Sequence, residues 1–183
     1  MNSPRNIVPS MAYPVSSDAI SLSVIAARPK SVRAIPCEIN LQKYEFRVYG
    51  WKVRSVKRES TRLVMAMEMN RYQVDLLCLS ATRLNGVSEE TIPVRDSYNS
   101  YSFLNSGAHD GSDDHGVGFT IGYRAQKALL AWDPVNPRIA RLQIIRRLSK
   151  IAIITVYAPT RVAMDADKDS FYSNLEITIQ EVP

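Results

Sequence analysis

Four short segments hold the residues whose types and spacing suit chemistry. They are Gly50-Trp51-Lys52-Val53-Arg54, Leu79-Ser80-Ala81-Thr82-Arg83, His115-Gly116-Val117-Gly118-Phe119 and Val156-Tyr157-Ala158-Pro159-Thr160. Each lies at the end of a strand-like run, and strand ends are where α/β proteins gather active-site groups. Lys52, Arg54 and Arg83 offer positive charge for a phosphate, and Tyr157 offers a phenol. Around the first segment, Arg47, Lys52, Arg54, Lys57, Arg58 and Arg62 form a dense basic set. Such a set suits phosphate and opposes a divalent cation, although a solvated face has the same composition. Trp51, an aromatic within a strand, reads as core before it reads as a substrate platform. Tyr157 reads equally as a substrate contact or as packing with its hydroxyl in water, and Arg83 as a surface or ion-pair residue.

The elements that must position these groups start at residue 46. Residues 46–53 alternate large and polar side chains and predict a strand. Ser60 and Thr61 are candidate caps of a helix running to about Tyr72, with Leu63, Val64, Met67 and Tyr72 on its inner face. Residues 74–80 form a nearly continuous apolar run, as expected of a strand buried on both faces. Strand, helix and strand in so short a span predict a βαβ-like opening. A loop rich in Asn, Gly, Ser and Glu follows, then a strand over 98–104. Residues 116–123 predict a strand whose glycines permit close backbone approach. Beyond Trp132 and a turn at Asp133 and Pro134, strands over 138–145 and 151–157 form a hairpin around a polar turn. Residues 169–182 predict a helix. The fold class is mixed α/β and strand-rich.

Residues 1–44 contrast with this. Pro4, Pro9, Pro14, Pro29 and Pro36 stand among many serines with no sustained period. The stretch predicts a tail that does not pack, or sequence foreign to the domain, and 45–183 the domain itself. Residues 19–27 have the length of a signal-peptide core, but Asp18 flanks them and Pro9 and Pro14 break what precedes, so a secretory signal is not the preferred reading.

Bulk properties narrow the partners. With 45% hydrophobic and 22% charged residues among 183, wholesale disorder is excluded. A formal charge of +5 and a pI near 9.3 mildly favour a polyanion such as nucleic acid, although a surplus of Lys and Arg serving solubility has the same composition. No apolar run is long enough for a membrane span. Cys37 and Cys78 are too few and too isolated for a disulfide framework or a zinc site, which points to the nucleus or cytoplasm. His109 and His115, in a Gly/Asp-rich loop, read as solvated.

In order, spacing and surrounding elements, the four segments resemble the endonuclease/exonuclease/phosphatase family, whose fold is shared with DNase I. The Arg71–Ser80 strand region and the Lys168–Tyr172 helix start belong to the same pattern. Within the family the chain looks closest to the endonuclease domains of non-LTR retrotransposons and to craniofacial development protein 2-like proteins, over 46–183. The resemblance implies the first half of a four-layer α/β/β/α sandwich, with an inner sheet face left uncovered and open to self-association through Ile139, Ile144, Ile145, Ile151, Ile153 and Ile154.

It also implies Mg²⁺-dependent phosphodiester hydrolysis as the ancestral chemistry. Tyr157 matches the family tyrosine near the scissile phosphate, and Arg83 matches as well. Lys52 stands where the family has Asn, and Ala81 where it has the metal-binding Glu. Lysine cannot ligate Mg²⁺ and alanine has no oxygen, so no metal site and no bound Mg²⁺ are expected. The family's later catalytic Asp, Asn and His would fall beyond Pro183. The resulting expectation is a truncated, inactive domain. Its alternative is a basic module in which Lys52, Arg54 and Arg83 hold nucleic acid without cutting it.

Overall fold

The computed structural model describes residues 25–27, 46–94, 100–109, 111, 115–146 and 149–182. Its first element within the domain is β2 (Val48–Lys52), which leads into helix α1 (Glu59–Arg71) and back through β3 (Leu76–Ser80). β2 and β3 run parallel, as a strand–helix–strand unit requires. α1 starts at Arg58 in extended conformation with no side-chain cap, so Ser60 and Thr61 lie inside the helix rather than capping it. Glu59 in the first turn and Arg71 in the last complement the helix dipole.

α1 turns Met65, Ala66 and Met69 inward, onto Leu77, Leu79 and Phe103. The expected inner residues Leu63, Val64 and Met67 are exposed instead. Both triplets have the same i, i+1, i+4 spacing and are offset by two residues, or roughly 200° at about 100° per residue. The helix therefore carries two equivalent apolar stripes on opposite faces, and only packing decides between them.

The chain next forms β4 (Val87–Pro93), β5 (Ser100–Ser106) and β6 (Val117–Ile121), completing a five-stranded sheet in the order β2-β3-β6-β5-β4. β4 was expected to be loop. It is an edge strand whose only buried side chain within its span is Ile92, so its composition is that of a loop while its backbone pairs fully with β5. Its Glu90 meets Arg62 of α1 at 2.7 Å. The close approach expected of the glycine-bearing strand occurs at Gly118, where a Cβ would run into the Leu104 carbonyl of β5. A short helix, α2 (Tyr123–Gln126), then carries the chain to the second sheet.

That sheet contains β1 (Ile25–Ala27), β7 (Leu129–Asn136), β8 (Ile139–Arg146) and β9 (Ser149–Val156), in the order β1-β9-β8-β7. Asp133 and Pro134 do not turn the chain but lie within β7, where register shifts on an edge strand accommodate the proline. β8 and β9 make the expected hairpin, Ile139 opposite Val156 and Arg146 opposite Ser149. β1 (Ile25–Ala27) pairs antiparallel with β9. It falls within the stretch read as an unpacked tail; the rest of 1–44 lies outside the described residues. α3 (Asp165–Gln180) begins four residues ahead of the expected start.

The two sheets pack face to face. Leu76, Cys78, Val117, Phe119 and Ile121 of one meet Ala140, Leu142, Ile144 and Ile153 of the other. Outside the second sheet, Phe171 of α3 covers Ile139, Ile154 and Val156. The layers thus run α1, sheet, sheet, α3, the α/β/β/α order the resemblance implies. The uncovered inner face does not occur. Of the six isoleucines, Ile139, Ile144, Ile153 and Ile154 are buried, two of them between the sheets and two under α3, while Ile145 and Ile151 are half-buried. Among the described residues no helix is long and apolar enough to cross a membrane.

Candidate functional site

Strand direction brings the four segments to one rim. β2 and β3 both run toward it and β6 runs away from it, so Lys52, Ser80 and Val117 sit side by side in register. In the second sheet β9 arrives and β8 departs, and the Tyr157 N–H donates to the Arg138 carbonyl just past their ladder at 2.8 Å. Hydrogen bonds lock the sheets together here, among them the Ser106 hydroxyl donating to the Asn136 carbonyl at 3.0 Å. The Gly116 N–H donates to the Pro137 carbonyl at 3.1 Å, and the Thr155 hydroxyl to the buried Leu79 carbonyl at 3.1 Å.

Side-chain alternation then aims the groups. Lys52 shares a face of β2 with Val48, which packs between the sheets. Tyr157 continues the face of β9 that carries Ile151 and Ile153. The two side chains therefore converge, with Lys52 Nζ 5.8 Å from the Tyr157 ring centroid. Trp51 points to the opposite face and packs half-buried against the α1 cluster, as core.

Arg138 completes the group from β8. Its Cζ lies 5.7 Å from the Tyr157 ring centroid, and its Nη1 donates to the Tyr157 carbonyl at 3.1 Å. Its Nη2 lies 2.9 Å from His115 Nε2. A guanidinium has no lone pair to offer, so Nε2 is the acceptor and the imidazole proton sits on Nδ1. Burial lowers the Arg138 pKa from its ordinary value, while Tyr157 and Asp167 act in the opposite sense. The His115 ring is 6.3 Å from that of Tyr157. Two cations and an imidazole thus surround one phenol ring.

The second segment supports this group without joining it. Ala81 and Arg83 adopt positive φ angles of 60° and 57°. Between them, the Thr82 and Arg83 N–H groups donate to the Gly116 and His115 carbonyls. The Thr82 hydroxyl donates to Asn105 Oδ1 at 2.7 Å, and Asn105 Nδ2 donates to the Gly86 carbonyl at 2.9 Å. This network sets the His115 backbone. Ala81 itself is a buried methyl. Arg83 and Arg54 are exposed, and of the basic set Arg62 is spent on Glu90 and on the Val56 carbonyl.

Of the sequence candidates, the structure brings Lys52 and Tyr157 together and leaves Arg54 and Arg83 at the surface. It adds Arg138 and His115, which were missed. His115 was read as solvated and is half-buried against Arg138. The expected hairpin already put 138 opposite 157, so Arg138 could have been found from register alone.

Amino-acid similarity agrees with part of the motif reading. The chain is similar to craniofacial development protein 2. It is 26% identical over 141 residues to the proteins of that name from Tragulus javanicus and from Bos taurus. The match takes in 77% of this chain but 23% and 22% of the two relatives, so the chain corresponds to under a quarter of their length. No protein-family model matches the chain. No solved structure matches it.

The donor set at the rim is unlike a Mg²⁺ site. At the two positions where the resemblance calls for oxygen ligands stand a cation, Lys52, and a methyl, Ala81. Among the described residues no three His, Cys, Asp or Glu converge as a metal cluster. Hard divalent ions take oxygen ligands, carboxylates foremost.

Proposed function

We propose that this chain is a non-hydrolysing relative of the endonuclease/exonuclease/phosphatase nucleases that holds nucleic-acid phosphate at the strand-end rim. The observation that carries the reading is the placement of Lys52 and Arg138, from different sheets, on the Tyr157 ring. A phosphate at Tyr157 would accept from the phenol and be flanked by two positive charges. Charge-assisted bonds of this kind are about twice as strong as neutral ones. The net charge of +5 adds long-range attraction. Hydrolysis needs a group that activates water and charge placed on the transferring phosphoryl oxygens. Lys52 and Arg138 supply charge. Ala81 supplies nothing, and His115, with Nε2 already accepting from Arg138, is a poor base.

Fluorescence anisotropy of a labelled duplex, read across salt, tests the binding half. Log affinity should fall linearly with log salt, and Lys52→Ala and Arg138→Ala should each flatten the slope by about one released counterion. Binding that ignores salt, or slopes unmoved by both substitutions, would remove the rim as the site. For the second half, supercoiled plasmid with Mg²⁺ or Mn²⁺ should stay intact. Nicking by the unaltered chain that Tyr157→Phe abolishes would show that the site is catalytic.

A further inference from the structure

The two long helices are the outer layers of the sandwich, and each presents an exposed stripe with apolar side chains in it. On α1, Ser60, Val64, Met67 and Arg71 follow at intervals of four, three and four residues, which puts them on one face. Val64 is 56% and Met67 51% exposed, and Leu63 is exposed beside them. On α3, Asp165, Asp169, Tyr172 and Glu176 repeat the same intervals, and Ile179 extends the stripe by three. Tyr172 is 62% exposed, and Ile179 also reaches solvent. The buried Phe171 meets the Tyr172 ring edge-on, with centroids 5.2 Å apart. The exposed ring is therefore steadied before any partner arrives. Ile177 is exposed as well but points off this stripe.

The surroundings of the two stripes differ in sign. The stretch 57–71 carries Lys57, Arg58, Arg62 and Arg71 against Glu59 and Glu68. Arg62 turns inward to Glu90, while Arg58 and Arg71 stay exposed. Arg71 meets Glu68 only at 3.9 Å, and so exposed a pair is worth little. α3 carries Asp165, Asp167, Asp169 and Glu176 against Lys168 alone, and that lysine is taken by Asp165 at 3.0 Å. Glu176 is held only by the Gln180 amide at 3.3 Å. One outer layer is thus apolar with a basic surround, and the opposite layer is apolar with an acidic one. Potentials that match in this way select a partner and fix its register.

We infer that α3 of one copy docks antiparallel on α1 of the next, so that the chain assembles head to tail. In that arrangement Arg71 falls beside Asp165 and Asp169, and Leu63, Val64 and Met67 close around Tyr172. Arg58 and Ser60 meet Glu176. The spacing common to both stripes keeps the side chains in step along the contact, and antiparallel helices set opposite dipoles side by side. α1 and α3 lie on opposite sides of the sandwich, so two copies cannot satisfy both faces of each other. Every pairing leaves one α1 and one α3 open for a further copy. A heterologous contact of this kind closes into a ring or continues as a filament. The Lys52–Tyr157–Arg138 rim uses none of these residues, and the inference does not depend on what the rim binds.

Sedimentation velocity of the full chain, freed of nucleic acid, tests this. The weight-average mass should exceed the 20.6 kDa of one chain and pass that of two chains over a roughly hundredfold rise in concentration. Added salt should lower it, because the flanking charges are exposed to screening. Val64→Glu sets a carboxylate against the acids of α3, and Tyr172→Glu places one among the apolar side chains of α1. Each variant should sediment as a single chain, with thermal melts verifying the fold. Mixed in equal amounts, the two should form a pair that grows no further, since one intact α3 meets one intact α1 and the remaining faces set Glu against Glu. A parent that stays a single chain at every concentration, or assembly untouched by both substitutions, would overturn the docking. A parent mass that levels off at two chains would overturn the head-to-tail arrangement. Variants that remain single chains when mixed would overturn the pairing of α1 with α3.

Discussion

The Thr155 hydroxyl donates to the Leu79 carbonyl at 3.1 Å, a buried bond between β9 of one sheet and β3 of the other near their strand ends. It sits two residues before Tyr157 and three before the end of the Ala81–Thr82 bend, and it fixes the sheets at the point where the rim is built. Thr155→Val keeps the shape and removes the donor. The expected cost is about 0.5–1.5 kcal/mol, the net worth of one hydrogen bond, because the Leu79 carbonyl still faces Gly118 in the β3–β6 ladder. Urea unfolding of the variant reads this as a lower midpoint with an unchanged slope.

The two faces of α1 should respond oppositely. Met65→Ala empties buried volume against Leu77 and Phe103 and should cost about 2–5 kcal/mol. Val64→Ser, one residue away on the exposed stripe, should stay within about 0.5 kcal/mol. Equal losses at both positions would mean that the helix packs the other way round.

Gly116 has a φ of +113° and no room for a Cβ, which would be driven into the Thr82 hydroxyl. Gly116→Ala should therefore destabilise by about 2–4 kcal/mol, strain and collision together. It should also displace His115, so rim binding should weaken at temperatures where the variant is still folded. Circular dichroism melts and anisotropy on the same sample separate the two effects.

Cys78 gives a pH signature. Burial pushes its thiol from 9.0 up to about 12. Below pH 9 both the folded and unfolded thiols are protonated and contribute no slope. Between 9 and about 12 the unfolded chain releases a proton that the folded chain keeps, so stability falls by about 1.4 kcal/mol per pH unit. Tyr101, raised by burial and by Asp75 against the opposing Arg124, adds to the same fall. Comparing Tm against pH for the parent and Cys78→Ala should show a shallower alkaline decline in the variant. Parallel declines would mean that the thiol reaches water in the folded state.

Strands buried on both faces or alternating cleanly were legible in the amino-acid order: β2, β3, β6 and the β8–β9 hairpin fall where apolar content and turn chemistry put them. β4 was not, because an edge strand satisfied by backbone bonds alone needs only Ile92 as an apolar anchor. The α1 face was ambiguous in principle, since two stripes of identical spacing compete. At the rim, Lys52 and Tyr157 were visible as chemistry-bearing types at strand ends, and their convergence follows from parity. His115 and Arg138 were hidden for different reasons. A histidine after a Gly/Asp-rich loop looks solvated until Arg138 is seen to bond it. An arginine at a strand start looks like surface until the hairpin register puts it beside Tyr157.

The β3 ladder has a consequence for how the chain reaches this structure in time. Leu79 finds one neighbour early, Trp51 across the parallel pair, but its other neighbour is Gly118, and the Thr155 hydroxyl that adds a bond to its carbonyl comes 76 residues further on. Contacts so distant along the chain are slow to form, because loop closure is paid in entropy before any pairing rewards it. During synthesis the apolar Leu76–Ser80 strand must emerge and wait, with one edge open until β6 is made and its inner face uncovered until the second sheet follows. That interval is when the chain is most exposed to misassembly and most in need of a chaperone. Folding yield should therefore drop more steeply with rising temperature and concentration than equilibrium stability would foretell.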